Sequence, residues 1–152
     1  MLFYLEHVHI RKAKVNDMPA IHNLVKELAI FEKEEDAVTS TLDDYTKAFN
    51  EQIFDVFVAE YQEKVVGMTL FYPAFSTWKG KMFYLEDFYV NHNYRSKGIG
   101  QALFDQFINH AKEEGCTMVK WEVLDWNKEA IKFYERNGAQ IETFWWDGKI
   151  IF

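Results

Sequence analysis

Two adjacent carboxylates, Glu86 and Asp87, sit inside an apolar and aromatic run, Tyr84-Leu85-Glu86-Asp87-Phe88-Tyr89-Val90. A polar connector then leads to Arg95-Ser96-Lys97-Gly98-Ile99-Gly100. Ile99, Leu103, Phe107 and Ala111 follow at four-residue intervals, a helical stripe that ends at Gly115. The order strand, glycine loop, helix leaves backbone N–H groups at the positive end of a helix dipole, and the two glycines let an anion approach the main chain. Arg95 and Lys97 add positive charge, so the loop reads as a phosphate cradle. Neither better-known phosphate motif fits: a dinucleotide fingerprint needs glycine where Leu103 stands, and a P-loop needs Gly-Lys-Ser/Thr where the chain has Gln101-Ala102. Taken alone, Gly-x-Gly is equally compatible with a tight turn. Strict strand alternation predicts Glu86, Phe88 and Val90 on one face and Asp87 and Tyr89 on the other.

The elements that position these residues follow from periodicity. A short strand is expected at His7 to Lys12. A helix capped by Asn16 or Asp17 then carries Ile21, Leu24, Val25 and Leu28 to about Phe31. Thr41-Leu-Asp-Asp is a capping box for a second helix through about Phe49. Strands around Val56 and Val58 and from Val65 to Phe75, separated by Gln62-Glu63-Lys64, form an antiparallel hairpin, with Pro73 expected to end regular pairing. The helix after the glycine loop leads to a strand from Met118 to Leu124, parallel to the Tyr84 strand by the crossover rule. Asn127 caps one more helix, closed by Gly138, and Ala139 to Phe152 has the content of one or two final strands. The expected class is α+β: a single mixed, mostly antiparallel twisted sheet of six to seven strands with helices on both faces.

Length and charge set bounds. The 152 residues fit one domain spanning 1–152. A formal net charge of −7 argues against a nucleic-acid or anionic-membrane partner and favours a cationic one. Cys116 is the single cysteine, so no internal disulfide is possible; it reads as a small structural residue, and no signal peptide or bilayer-length apolar run is seen. The chain is therefore expected to be cytoplasmic. Its five histidines show no metal-ligand spacing, so no metal is expected.

Arg-x-x-Gly-x-Gly after a strand resembles the GNAT superfamily of acetyl-CoA-dependent N-acetyltransferases. Tyr84-Leu-Glu-Asp-Phe-Tyr-Val, Tyr94-Arg-x-x-Gly-Ile-Gly, Trp126-Asn-x-x-Ala-Ile-x-Phe-Tyr-Glu-x-x-Gly-Ala139, Leu28-Ala-x-Phe-Glu32 and Trp78-x-Gly-Lys81 resemble its spermidine/spermine (diamine) and thialysine branch. The resemblance implies a GNAT fold and acetyl-CoA as co-substrate. Main-chain groups of Phe88 and Val90 would pair with the pantetheine arm, and Arg95 with the amides of Ser96, Lys97, Gly98, Ile99 and Gly100 would hold the pyrophosphate. Asn127 and Tyr134 would lie beside the thioester. It further implies Tyr134 as general acid, Glu86 as general base, and Glu32, Trp78, Glu86 and Asp87 as contacts for a small cationic amine, in a homodimer. A phenol suits the acid, since its unperturbed pKa near 10 keeps the proton available at neutral pH; an aliphatic ammonium is only on the order of 0.1% free base at pH 7 and needs an acceptor.

The chain departs from the polyamine enzymes where it carries Ser76 and Trp145-Trp146 in place of acidic residues, which favours a short amine, such as thialysine, over a long polyamine. Glu32 opens a charged run that also suits a solvated face, and Trp78 suits a core or interface as well as an amine-binding wall. A protein or peptide N-acetyltransferase, or a non-catalytic acetyl-CoA-binding module, stays open beside the small-amine enzyme.

Overall fold

The computed structural model describes residues 7–152. Five strands form one sheet in the order β1 (Val8–Lys12), β2 (Asp55–Tyr61), β3 (Lys64–Ser76), β4 (Gly80–Val90) and β5 (Met118–Lys120). The first four are antiparallel neighbours, and β5 runs parallel to β4 after the crossover through a helix. The expected six to seven strands are not reached. No strand forms after Lys120 among the described residues, and Phe144, Trp145, Trp146, Ile150 and Ile151 are exposed. Apolar content at those positions is not enough, because a strand also needs a partner edge. The strand expected from Met118 to Leu124 stops at Lys120 for the same reason: its ladder with β4 covers only Met82, Phe83 and Tyr84.

Helix α1 (Met18–Phe31) and helix α2 (Leu42–Asn50) precede β2, and α3 (Ile99–Glu113) follows β4. Pro19 stands in the first turn of α1, where its missing N–H costs nothing. Asp17 precedes α1 without capping it. Its carboxylate accepts from Lys14 N at 2.7 Å and takes both terminal nitrogens of Arg11 at 2.7 and 2.9 Å. The same guanidinium reaches Glu60, tying β1 and β2 to the turn before α1. The capping box of α2 forms as expected, with Asp44 N donating to Thr41 Oγ1 at 3.2 Å and Thr41 N to Asp44 Oδ2 at 2.7 Å.

The β2–β3 turn is tighter than expected. Lys64 already belongs to β3, leaving Gln62 and Glu63 with φ of 49° and 61°, the two left-handed residues of a hairpin turn that matches strand twist. Pro73 does not end β3, which continues to Ser76 opposite Gly80. The β2 ladder stops at Phe71, so Pro73 has a strand on one side only and its missing N–H breaks no ladder.

Alternation along the strands divides the core. Val56, Val58, Met68, Leu70 and Tyr89 pack with Met18, Ile21 and Leu24 of α1. On the opposite face, Phe57, Phe71 and Phe83 meet α3, with Phe71 5.0 Å from both Phe83 and Phe107 between ring centroids. Each such side chain contributes about 1.5–3 kcal/mol when fully buried, so these two layers hold the sheet between helices. No helix among the described residues is long and apolar enough to cross a membrane.

The chain divides into two compact units, one ending at Trp121 and one running from Glu122 to Phe152. The second contains α4 (Lys128–Arg136), whose Asn127 Oδ1 accepts from Ala130 N at 3.2 Å and whose end is marked by Gly138 at φ 85°. Both terminal signals match the sequence reading.

Candidate active site

Glu86 has no partner residue in the β3–β4 register: Leu70 pairs with Asp87 and Phe71 with Leu85, so Glu86 is the extra residue of a β-bulge. Its Oε2 accepts from Tyr72 Oη at 2.9 Å, and Tyr72 stacks on Tyr84 with centroids 5.4 Å apart. Tyr72 follows Met68 and Leu70 on the α1 face, so Glu86 points there too. Asp87 shares that face with Tyr89, while Phe88 turns to Phe104 of α3, 5.9 Å away between centroids. This overturns the strict alternation that set Glu86 with Phe88 and Val90 and opposite Asp87. The bulge shifts the pleat by one residue and brings both carboxylates to one side.

Glu32, the C-cap of α1, joins them electrostatically. Burial pushes the Asp87 carboxyl up to about 7, and the charges of Glu86 and Glu32 push in the same direction. Glu32 is also raised, by burial first and then by Glu34. Tyr45 of α2 feels the charges of Asp87 and Glu86 behind a larger effect of burial. Tyr45 and Tyr72 were missed in the sequence, although Leu70-Phe71-Tyr72 carries the alternation that aims Tyr72 at the Glu86 face. Trp78 is 82% exposed in the β3–β4 turn, and no ring or hydrogen-bond contact of its side chain joins it to these carboxylates. Ser76 Oγ accepts from Trp78 N and Lys79 N at 3.3 and 3.1 Å, which makes Ser76 a cap of that turn.

The edge of β4 that faces away from β3 loses its strand partner after Tyr84, so Leu85–Val90 offers backbone hydrogen-bonding positions to an extended amide-bearing chain. Phe88 and Val90 lie on this stretch. The Val90 carbonyl accepts from Arg95 Nε at 2.8 Å.

The glycine loop follows a 3₁₀ turn at His92–Tyr94. Gly98 is the N-cap of α3 at φ 82° and Ser96 has φ 59°, so Gly98 is required by the backbone itself. Gly98 has no side chain to cap the helix, which leaves the first-turn N–H groups of α3 directed at the loop. Gly100 is different. A Cβ there would stand 3.6 Å from Phe88 Cζ and 3.9 Å from Val90 Cγ2, ordinary contacts, so packing does not demand glycine. Ile99 is buried beneath the loop.

The two cations are more constrained than the sequence implied. Besides its bond to Val90, the Arg95 guanidinium lies 5.1 Å from the ring centroids of both Phe31 and Tyr89. Lys97 Nζ donates to Asn93 O at 2.6 Å and lies 5.7 Å from the Tyr94 ring. The positive charge at the loop is thus held by the connector and by α1. In the second unit, Tyr134 is the buried residue of α4 and its ring meets Phe133 edge-on at 5.6 Å. Among the described residues, no group of three or more His, Cys, Asp and Glu is arranged to hold a metal.

Residues 18–139 match the model of the Acetyltransferase (GNAT) family, and the chain belongs to that family. It is 39% identical over 143 residues to thialysine N-epsilon-acetyltransferase of Bos taurus, covering 88% of this chain and 84% of the relative. It is 32% identical over 144 residues to spermidine/spermine N(1)-acetyltransferase-like protein 1 of Homo sapiens, covering 89% of this chain and 21% of that longer relative. An aminoglycoside acetyltransferase from an uncultured soil metagenomic sample shares the fold, with a TM-score of 0.78 at 22% identity over 95% of this chain and 98% of the other. The chain is thus an N-acetyltransferase of the branch its motifs resemble.

Proposed function

We propose that this enzyme transfers the acetyl group of acetyl-CoA to a primary amine of a small cationic acceptor, a diamine, polyamine or thialysine-like amino acid, by direct attack on the thioester. The observation that carries this is the open β4 edge, Leu85–Val90, leading into a loop whose Gly100 is glycine without a packing reason. A backbone edge followed by outward amides at a helix N-terminus suits a ligand with an amide-bearing arm and a pyrophosphate. Phe88 and Val90 would receive the arm, Ser96, Lys97, Gly98, Ile99 and Gly100 the pyrophosphate, and Arg95 would brace the loop and add charge. Asn127 would stand beside the thioester.

The acceptor end is proposed at Glu86, Asp87 and Glu32, where three carboxylates on one side of β4 suit a cationic amine. Glu86 would take the proton of the attacking ammonium, directly or through water, and Tyr134 would protonate the leaving thiolate. Trp78 would supply an aromatic wall only if the exposed β3–β4 turn folds over the acceptor. One catalytic domain over 1–152, a homodimer and a cytoplasmic location complete the proposal.

The thialysine and polyamine relatives support a small-amine acceptor. Fewer acidic positions, with Ser76 and Trp145-Trp146 where the polyamine enzymes are acidic, favour a short amine, since each charge-assisted contact is worth about 1.5–3 kcal/mol. The test is an acetyl-CoA consumption screen over diamines, polyamines, thialysine, lysine and aminoglycosides, with mass spectrometry of products. A higher kcat/KM for a short diamine or thialysine than for spermine is expected. No turnover with any small amine, alongside acetylated peptides in a lysate, would overturn the acceptor class.

A further inference from the structure

Glu27, on the half-buried side of α1, is used by none of the roles above, yet its carboxylate stands at the junction of α1, β4 and the connector to the glycine loop. Its Oε2 accepts from Asn91 Nδ2 at 2.9 Å and its Oε1 from Asn23 Nδ2 at 3.1 Å. Burial raises the pKa of the Tyr89 hydroxyl, with Arg95 lowering it and Glu27 raising it, and the Arg95 guanidinium lies 5.1 Å from the Tyr89 ring centroid. Asn91 in turn fixes the connector: its Oδ1 accepts from Asn93 N at 3.1 Å, its carbonyl from Tyr94 N at 2.9 Å, and its own N–H donates to Val66 O at 2.9 Å. That last bond ends on the residue left over at the β2–β3 register shift, where Ala59 pairs with Gly67 and Glu60 with Val65. One turn further along α1, Phe31 lies against the Arg95 guanidinium.

We infer that Glu27 is a positioning residue for the co-substrate loop, acting through Asn91 and through Tyr89 and Arg95 to set where the amides of Ser96 to Gly100 stand. The inference rests on the acetyl-CoA reading of that loop. A solely structural strut would join α1 to β4 and nothing more. Here the same carboxylate binds the Asn91 side chain that holds the connector and acts electrostatically on Tyr89, whose ring lies against the Arg95 guanidinium, and a small displacement of the loop is felt directly by whatever it binds. The next residue but four on the same helix, Glu32, belongs to the carboxylate group at Asp87, so α1 braces the two ends of the site from one rigid element.

The test uses the full chain, with acetyl-CoA affinity by calorimetry, steady-state KM for both substrates, kcat and thermal melting for Glu27→Ala, Glu27→Gln, Asn91→Ala and the Glu27→Ala/Asn91→Ala pair. Glu27→Ala is expected to raise the acetyl-CoA Kd and KM by roughly five- to twentyfold, with acceptor KM and kcat within about twofold of the parent. Glu27→Gln should recover most of this, since its amide oxygen can still accept from Asn91, and the double variant should be little worse than Glu27→Ala. A Glu27→Ala protein that melts earlier but keeps the parent's acetyl-CoA Kd would overturn the inference. If Glu27→Ala does not fold, an unchanged Kd in Asn91→Ala overturns it equally. Failure of the unsubstituted chain to bind acetyl-CoA at all would instead remove the proposed function, a separate result.

Discussion

Glu86 and Asp87, neighbours in a β-strand, present their carboxylates to the same side, because Glu86 is the unpaired residue of the bulge between the Leu70–Asp87 and Phe71–Leu85 pairs. Ordinary pleating would have sent one of them towards α3. The bulge concentrates negative charge where Glu32 also lies, and burial, reinforced by that concentration, raises Asp87 to about 7.

Asp87 therefore carries a pH dependence with a defined sign. Its carboxyl titrates near 3.9 in an unfolded chain and at about 7 in the folded one. The folded state keeps a proton that the unfolded state has released, so this group's contribution to stability is fully present below about pH 4 and is lost as pH rises through 7. Asp87→Asn should be more stable than the parent at pH 8 by about 1–2 kcal/mol, with the difference shrinking towards pH 4. Urea unfolding at three pH values measures it. Acceptor KM should rise roughly tenfold as pH falls from 8 to 6 in the parent, because a charge-assisted contact is lost, and stay flat in Asp87→Asn. Parallel pH profiles in the two proteins would exclude Asp87 as the titrating group.

Gly98 and Gly100 should separate folding from binding. Gly98→Ala places a Cβ at φ 82° and should cost about 1–2 kcal/mol of stability. Gly100→Ala meets only ordinary contacts and should fold as well as the parent, yet weaken acetyl-CoA by tenfold or more if the anion approaches the main chain there. Calorimetry on a Gly100→Ala protein of unchanged melting temperature is the decisive measurement, and parent-like affinity would remove the cradle.

Tyr134→Phe should lower kcat by roughly 10²–10⁴ while leaving acetyl-CoA affinity almost unchanged, since only the proton donor is lost. Glu86→Gln should instead move the activity profile to higher pH, while its amide oxygen can still accept from Tyr72 Oη without the charge. Wild-type kcat in Tyr134→Phe would mean that another group protonates the thiolate.

Thr69 is buried at 0% exposure on the central strand β3, and its Oγ1 has no hydrogen-bond partner. An unsatisfied hydroxyl costs about 1–3 kcal/mol, and valine has nearly the same shape. Thr69→Val should therefore stabilise the protein by about 1 kcal/mol without changing kcat/KM. Chemical denaturation checks it, and a destabilised variant would show that the hydroxyl is satisfied in solution.

Local signals in the chain were enough for much of the scaffold. The capping box at Thr41 and Asp44, the cap at Asn127, the stop at Gly138 and the stripe Ile99-Leu103-Phe107-Ala111 are each set by residues within a few positions of one another, so periodicity and turn chemistry determine them. The glycine loop and its place between strand and helix were legible for the same reason. Three features came only with the tertiary structure, because each depends on pairing between distant segments. The bulge at Glu86 exists only in register with Leu70 and Phe71, and it reverses which residues share a face with Asp87. The number of strands depends on whether Ala139 to Phe152 finds an edge to pair with, which its own apolar content cannot supply. The setting of Arg95 between Phe31 and Tyr89, with Glu27 behind them, requires α1 to lie against the end of β4, a contact across some sixty residues of chain that no local pattern encodes.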